Sequence, residues 1–118
     1  MRKKRELIRF ANWAFGRLGL RPIPIVYAPA PALCDPDGVT CFGVYAFDID
    51  LPAYKSKIWI AYRYHPKFNV LGFLAHEIIH YHQNAMIGIE KMGYENAEKD
   101  AEERTELLLA EWVKRVGL

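Results

Sequence analysis

The stretch Asn69–Met86, NVLGFLAHEIIHYHQNAM, returns its apolar residues at intervals of three and four. Leu71, Leu74, Ala75, Ile78, Ile79, Ala85 and Met86 keep a helical period, Asn69 offers an N-cap, and Gly88 offers a stop. In a helix, residues four apart share a face and are separated by a rise of about 6 Å. His76 and His80 stand in that relation, so two imidazoles can converge on one tetrahedral ion. Glu77 lies on the same side. Its carboxylate can act as general base on a water at that ion without being a ligand. This is the physical content of the HExxH pattern. Phe73, His76, Glu77, His80 and Asn84 gather on one strip of an otherwise apolar helix, where ionisable groups are costly to bury without a use for them.

The segments on either side set the fold class. Residues 2–18 place Leu7, Ile8, Phe10, Ala11, Ala14, Phe15 and Leu18 at helical spacing, with Gly19 as the stop. Prolines limit the next segment to a short or edge strand around Ile23–Tyr27. A DPDG turn at 35–38 leads into TCFGVYAFDID, residues 40–50, rich in β-branched and aromatic residues. KIWIAYRY, residues 57–64, reads as a third strand. Beyond the histidine helix, Ala97–Val116 forms a second long amphipathic helix with Ala97, Ala101, Thr105, Leu108 and Trp112 in one stripe. The order is helix, three strands, helix, helix. It predicts one α+β domain over 1–118, built on a small antiparallel or mixed sheet.

Catalytic zinc takes three protein ligands and keeps one position open. His82 follows His80 by two residues and points away around the helix, and His65 sits before Pro66 in a loop. Among the acidic residues downstream, Glu98 fits best: it follows His80 by 18 residues, room for a turn at Gly88–Gly93 and a return on the second helix. Glu102, one turn further on the same face, can accept a hydrogen bond from the far nitrogen of a ligand histidine. Geometry favours Glu98 over Glu102 as the ligand, and most other carboxylates of AEKDAEERTELL form a solvated helix face.

HEIIH followed by AEKDAEERT resembles the gluzincins, the HExxH-plus-Glu branch of the zincin metallopeptidases to which thermolysin belongs. The EKDA pattern is also similar to small ImmA/IrrE-type and other phage and microbial HExxH proteins, which leaves a phage or viral gene open as the source. The size is that of a minimal, minigluzincin-like domain: N-terminal helix, small three-stranded sheet, active-site helix, glutamate helix. The resemblance implies a zinc-dependent peptidase with Zn2+ on His76, His80 and Glu98, Glu77 as base, and Glu102 as the acidic partner of a ligand histidine, although that family more often has Asp there. It further implies an edge strand that binds the main chain of a peptide or protein substrate. The candidate is Gly43, Val44, Tyr45, Ala46 and Phe47, with KIWIAY as the alternative edge. Gly43 would let another backbone approach closely. Thermolysin-like enzymes draw oxyanion donors from further along the chain. Only 16 residues follow Glu102, so Tyr62, Tyr64, Tyr81, His82 and Tyr94 are the available donors. A different reading is a zincin-fold regulatory or protein-binding module that holds metal with little turnover.

Charge and cysteines narrow the rest. Residues 1–70 carry 11 Lys/Arg against 5 Asp/Glu, and residues 71–118 carry 5 against 9. A basic half can suit nucleic acid, but no recognised binding motif accompanies it, so a nucleic-acid partner is not expected. No apolar run is long enough for a membrane span. MRKKRELIRF begins with charge like a signal peptide, yet Glu6, Arg9 and Asn12 interrupt the apolar part, which predicts an intracellular, cytoplasmic protein. Cys34 and Cys41, seven apart, could bridge a hairpin, but are expected to be two small loop residues.

Overall fold

The molecule is described by a computed structural model over residues 2–117. Its elements are α1 (Arg2–Arg17), β1 (Ile25–Ala28), β2 (Leu33–Cys34), β3 (Thr40–Cys41), β4 (Gly43–Ala46), a 3-10 turn (Ala53–Lys55), β5 (Lys57–Ala61), α2 (Lys67–Met86), α3 (Ile89–Met92) and α4 (Tyr94–Val116). This is an α+β fold with a mixed sheet, as the sequence predicts.

Helix α2 is the central element. It packs against α1, α4, β4 and β5, and Val70, Leu71, Leu74, Ala75, Ile78 and Ile79 are all buried. The helix starts two residues before the expected cap. Pro66 holds φ at −56°, and its carbonyl accepts the amides of Asn69 and Val70, so Asn69 lies inside the first turn. At the other end the Ile87 and Gly88 amides both donate to the Gln83 carbonyl, with Gly88 at φ 103°.

The three-stranded sheet has the order β1-β5-β4, with β1 parallel and β4 antiparallel to β5. KIWIAY is therefore the central strand and not an edge. Ile58 and Ile60 point into the core from it, fully buried. β4 is the edge. Its register pairs Gly43 with Ile60, Val44 with Trp59 and Tyr45 with Ile58, and the Ala61 amide donates to Phe42. Antiparallel pairing alternates, so Val44 and Ala46 exchange hydrogen bonds with β5, while the amides and carbonyls of Gly43 and Tyr45 face the open side.

TCFGVYAFDID does not run as one strand. It breaks at Phe42, and Thr40–Cys41 pairs instead with Leu33–Cys34 as a separate two-stranded ribbon. Cys34 lies opposite Thr40 and Cys41 opposite Leu33, which puts the two sulfurs on opposite faces; both thiols are free.

Helix α4 begins at Tyr94, one turn earlier than the stripe indicates, and buries Ala97, Ala101, Leu108, Leu109 and Trp112. Ala97 and Ala101 are small, so α4 lies close along α2. At its far end Trp112 meets Phe10 and Trp13 of α1, with ring centroids 5.5 and 5.3 Å away. Lys3 reaches from α1 to the carbonyls of Tyr62 and His65 and fixes the loop before α2. Among the described residues, no helix is long and apolar enough to cross a membrane.

Candidate metal centre

α2 and α4 bring three side chains to one point. His80 Nε2 lies 3.1 Å from His76 Nε2 and 2.8 Å from Glu98 Oε1, and His76 Nε2 lies 3.3 Å from Glu98 Oε2. Donors about 2.0–2.1 Å from a tetrahedral ion stand roughly 3.3 Å apart. The two histidine nitrogens and the Glu98 carboxylate, which meets His80 through Oε1 and His76 through Oε2, come close to that spacing with both His80 distances tighter, and can hold a metal ion.

The hydrogen on the His80 Nδ1 is fixed by its neighbour. Gln83 is buried, and its amide nitrogen donates both hydrogens, to the Ala97 carbonyl and to Asp100 Oδ2, each at 2.9 Å. Its oxygen is left as an acceptor, 2.8 Å from His80 Nδ1. Nδ1 must therefore carry the hydrogen, and in the neutral ring Nε2 presents a lone pair. That lone pair faces the carboxylate of Glu98 and the second imidazole. Three electron-rich atoms at such distances repel unless a cation lies among them, whether a proton or a metal. Burial, followed by the charge of His80, lowers the pKa of His76 and favours the neutral form that ligates.

The side chain that hydrogen-bonds a histidine of the trio is not the expected Glu102. Glu102 is exposed, and among the described residues it hydrogen-bonds neither histidine; its charge reaches His76 only through space. A step of four residues on a helix turns about 40° past a full circle, which here carries Glu102 away from the α2 contact. The supporting partner is Gln83, and the ring it supports belongs to the second histidine. Arg104 extends the chain, donating to Asp100 at 3.3 Å and to His82 Nδ1 at 2.7 Å. His82 is thus occupied away from the centre, as the sequence predicts. Gln83 was visible in HEIIHYHQ as a polar residue three places past His80, but only the helix packing shows what it touches.

Glu77 lies beside the trio, nearly buried, beneath β4. Burial pushes its carboxyl up to about 7; the charge of Glu98 adds to the rise, and the His80 ring and the Tyr45 backbone amide act against it. A Cβ on Gly43 would lie 2.9 Å from Glu77 Cγ and 3.1 Å from Ile60 Cδ1. The missing side chain at this position makes room for the Glu77 side chain.

A cleft of about 860 Å³ opens over these groups. β4, Phe47 and Cys41 line one side, and Ile89, Tyr94 and Ala97 line the other. Phe42 and Phe73 stack at one end with centroids 4.9 Å apart. Of the five side chains expected as oxyanion donors, Tyr94 alone lines this cleft. It is 75% exposed and stands one turn before Glu98 on α4. The Tyr81 hydroxyl is bound to the Arg21 carbonyl, Tyr62 is in the core, and Tyr64 is exposed elsewhere. No family model, curated protein or solved structure matches the chain, so the centre rests on its own geometry.

Two outcomes test this description. Gln83→Leu removes the acceptor on His80, and metal affinity, read by competition with a chromogenic chelator, is expected to fall about 10- to 100-fold. Gly43→Ala forces its new methyl against Glu77, and urea denaturation is expected to show a loss of about 1–3 kcal/mol. An unchanged midpoint would refute the tight contact.

Proposed function

We propose that the protein is a zinc-dependent metallopeptidase. The observation that carries this reading is the convergence of His76, His80 and Glu98 on the floor of a cleft, with the buried carboxylate of Glu77 beside them and a free strand edge above. Two imidazoles and one carboxylate suit zinc, since imidazole nitrogen is a preferred donor for that ion and three protein ligands leave one position of a tetrahedron open. A zinc ion held there would supply Lewis acidity, lowering the pKa of a water and polarising a carbonyl oxygen.

The rest is done by the chain. Glu77, raised by burial toward neutrality, is suited to take a proton from the attacking water and give it to the departing amine. Among the described residues Gly43 offers an unpaired amide and carbonyl along β4 and Tyr45 its carbonyl, the Tyr45 amide being turned to Glu77, and an extended peptide can lie against them as a further strand through Phe47. Such pairing reads main chain and not sequence, which identifies the substrate class as extended peptide. Tyr94 can turn its hydroxyl toward the developing oxyanion, because no hydrogen bond holds it among the described residues.

Elemental analysis is expected to find one equivalent of zinc in the wild type and in Glu77→Gln, and a marked loss in His76→Ala, His80→Ala and Glu98→Ala. Full occupancy in all three would exclude the trio. Cleavage of a quenched-fluorescent peptide library should vanish in Glu77→Gln; a cut that survives it would remove the glutamate from the mechanism. Tyr94→Phe is expected to lower kcat by about 10²-fold with little change in KM, the pattern of a contact made in the transition state. An unaltered kcat would discount it.

A further inference from the structure

The main cleft does not end with β4. A second depression of about 300 Å³ continues from it, and the two share Phe47, Ile89 and Glu90 in their walls. The second is floored by Ala53 and Asn84 and flanked by Ile49 and Leu51, which are 63% and 50% exposed. These two come from FDIDL, residues 47–51, where apolar and acidic residues alternate. Asp48 and Glu90 stand at its rim, with Lys91 as the one basic lining residue. Among the described residues the main cleft has no Lys or Arg in its lining, and Asp35 joins Glu90 at its margins.

Direction matters here. β4 runs from Gly43, over Glu77, toward Phe47 and then into the second depression. From Gly43 to Phe47 is four residues, about 13 Å of extended chain. A peptide lying along the open edge with its reacting bond above Glu77 reaches the second depression four or five residues away. The depression is apolar inside and acidic around.

Resting on the peptidase reading, we propose that the depression formed by Phe47, Ile49, Leu51 and Ile89 is a remote substrate subsite. It takes a large apolar side chain, four or five residues from the cleaved bond, flanked by Lys or Arg. The occupant is the continuation of the substrate peptide. Continuity with the cleft sets its path, and the carboxylates at the rim set the sign of its neighbours. Burying one large aliphatic side chain corresponds to roughly a tenfold gain in affinity.

The test lengthens a cleaved peptide at either end so that Lys-Leu-Lys falls four or five residues from the cut. Metal-loaded protein is expected to gain about tenfold in kcat/KM on one side of the bond. The gain should disappear in Leu51→Asp and Ile49→Asp and persist in Leu107→Asp, an exposed leucine on α4 far from the cleft. Fluorescence anisotropy on metal-loaded Glu77→Gln should show the same tightening for the longer peptide without turnover. No gain on either side, a gain that survives both aspartates, or an equal gain with Glu-Leu-Glu would overturn the subsite. If the wild type cuts no peptide, the peptidase reading fails, while anisotropy still reports on the depression.

Discussion

Gln83 sits where α2 meets α4, with its amide fixed from both ends. The nitrogen has only acceptors within reach, the Ala97 carbonyl and Asp100, so the oxygen has to face His80. One side chain thereby fixes a tautomer, aims a lone pair and ties the helix of the two histidines to the helix of Glu98. The tie is made to the backbone of Ala97, the residue just before Glu98, so it also sets how far along α2 the carboxylate falls. Such a buried group is costly to leave half-paired, and here both amide hydrogens and the oxygen each have a partner. The neighbouring Ala97 and Ala101 matter for the same reason: larger side chains would hold the helices apart and leave the amide short of its acceptors.

Glu77 and β4 constrain each other in a similar way. A carboxylate under a strand has little water, and its proton affinity rises with burial. It fits there because residue 43 has no side chain, while Ile60 closes the far side of the gap. The same strand keeps one edge unpaired, normally a liability for association. β4 is only four residues long, and the carboxylate beneath it opposes burial of the edge against an apolar surface.

Much of this was legible in the sequence, and what was not shares a cause. Period and spacing gave the long helices, the α+β class, and the set His76, His80 and Glu98, because helix geometry turns sequence separation into distance. Glu98 could be chosen since the turn at Gly88–Gly93 fixes a simple return path. Spacing puts Glu102 near the face of Glu98, but the offset of about 40° over one helical turn leaves it exposed, because spacing alone says nothing of how closely the next helix lies. Gln83 was passed over because an amide next to two histidines carries no signal until its partners are known. KIWIAY seemed able to be an edge because strand order depends on which segments cross, and that is set by packing on α2. Phe42 separates the ribbon from β4, and Gly43 beside it opens the new strand without a proline or turn signature to mark the change.

Charge distribution adds a constraint that no single contact shows. The acidic half of the chain supplies Glu77, Glu98 and Glu90 to the cleft, and among the described residues the basic half supplies no Lys or Arg to its lining. An ammonium or guanidinium there would be a ready partner for Glu98 and would satisfy the centre without an external ion. Arg104 and Arg17 are instead engaged on other surfaces, by Asp100 with His82 and by Glu111. The carboxylate and two imidazoles are left facing one another without a Lys or Arg among them. That arrangement is relieved by a proton on an imidazole or by a metal ion, and the absence of basic side chains from the described lining leaves room for either.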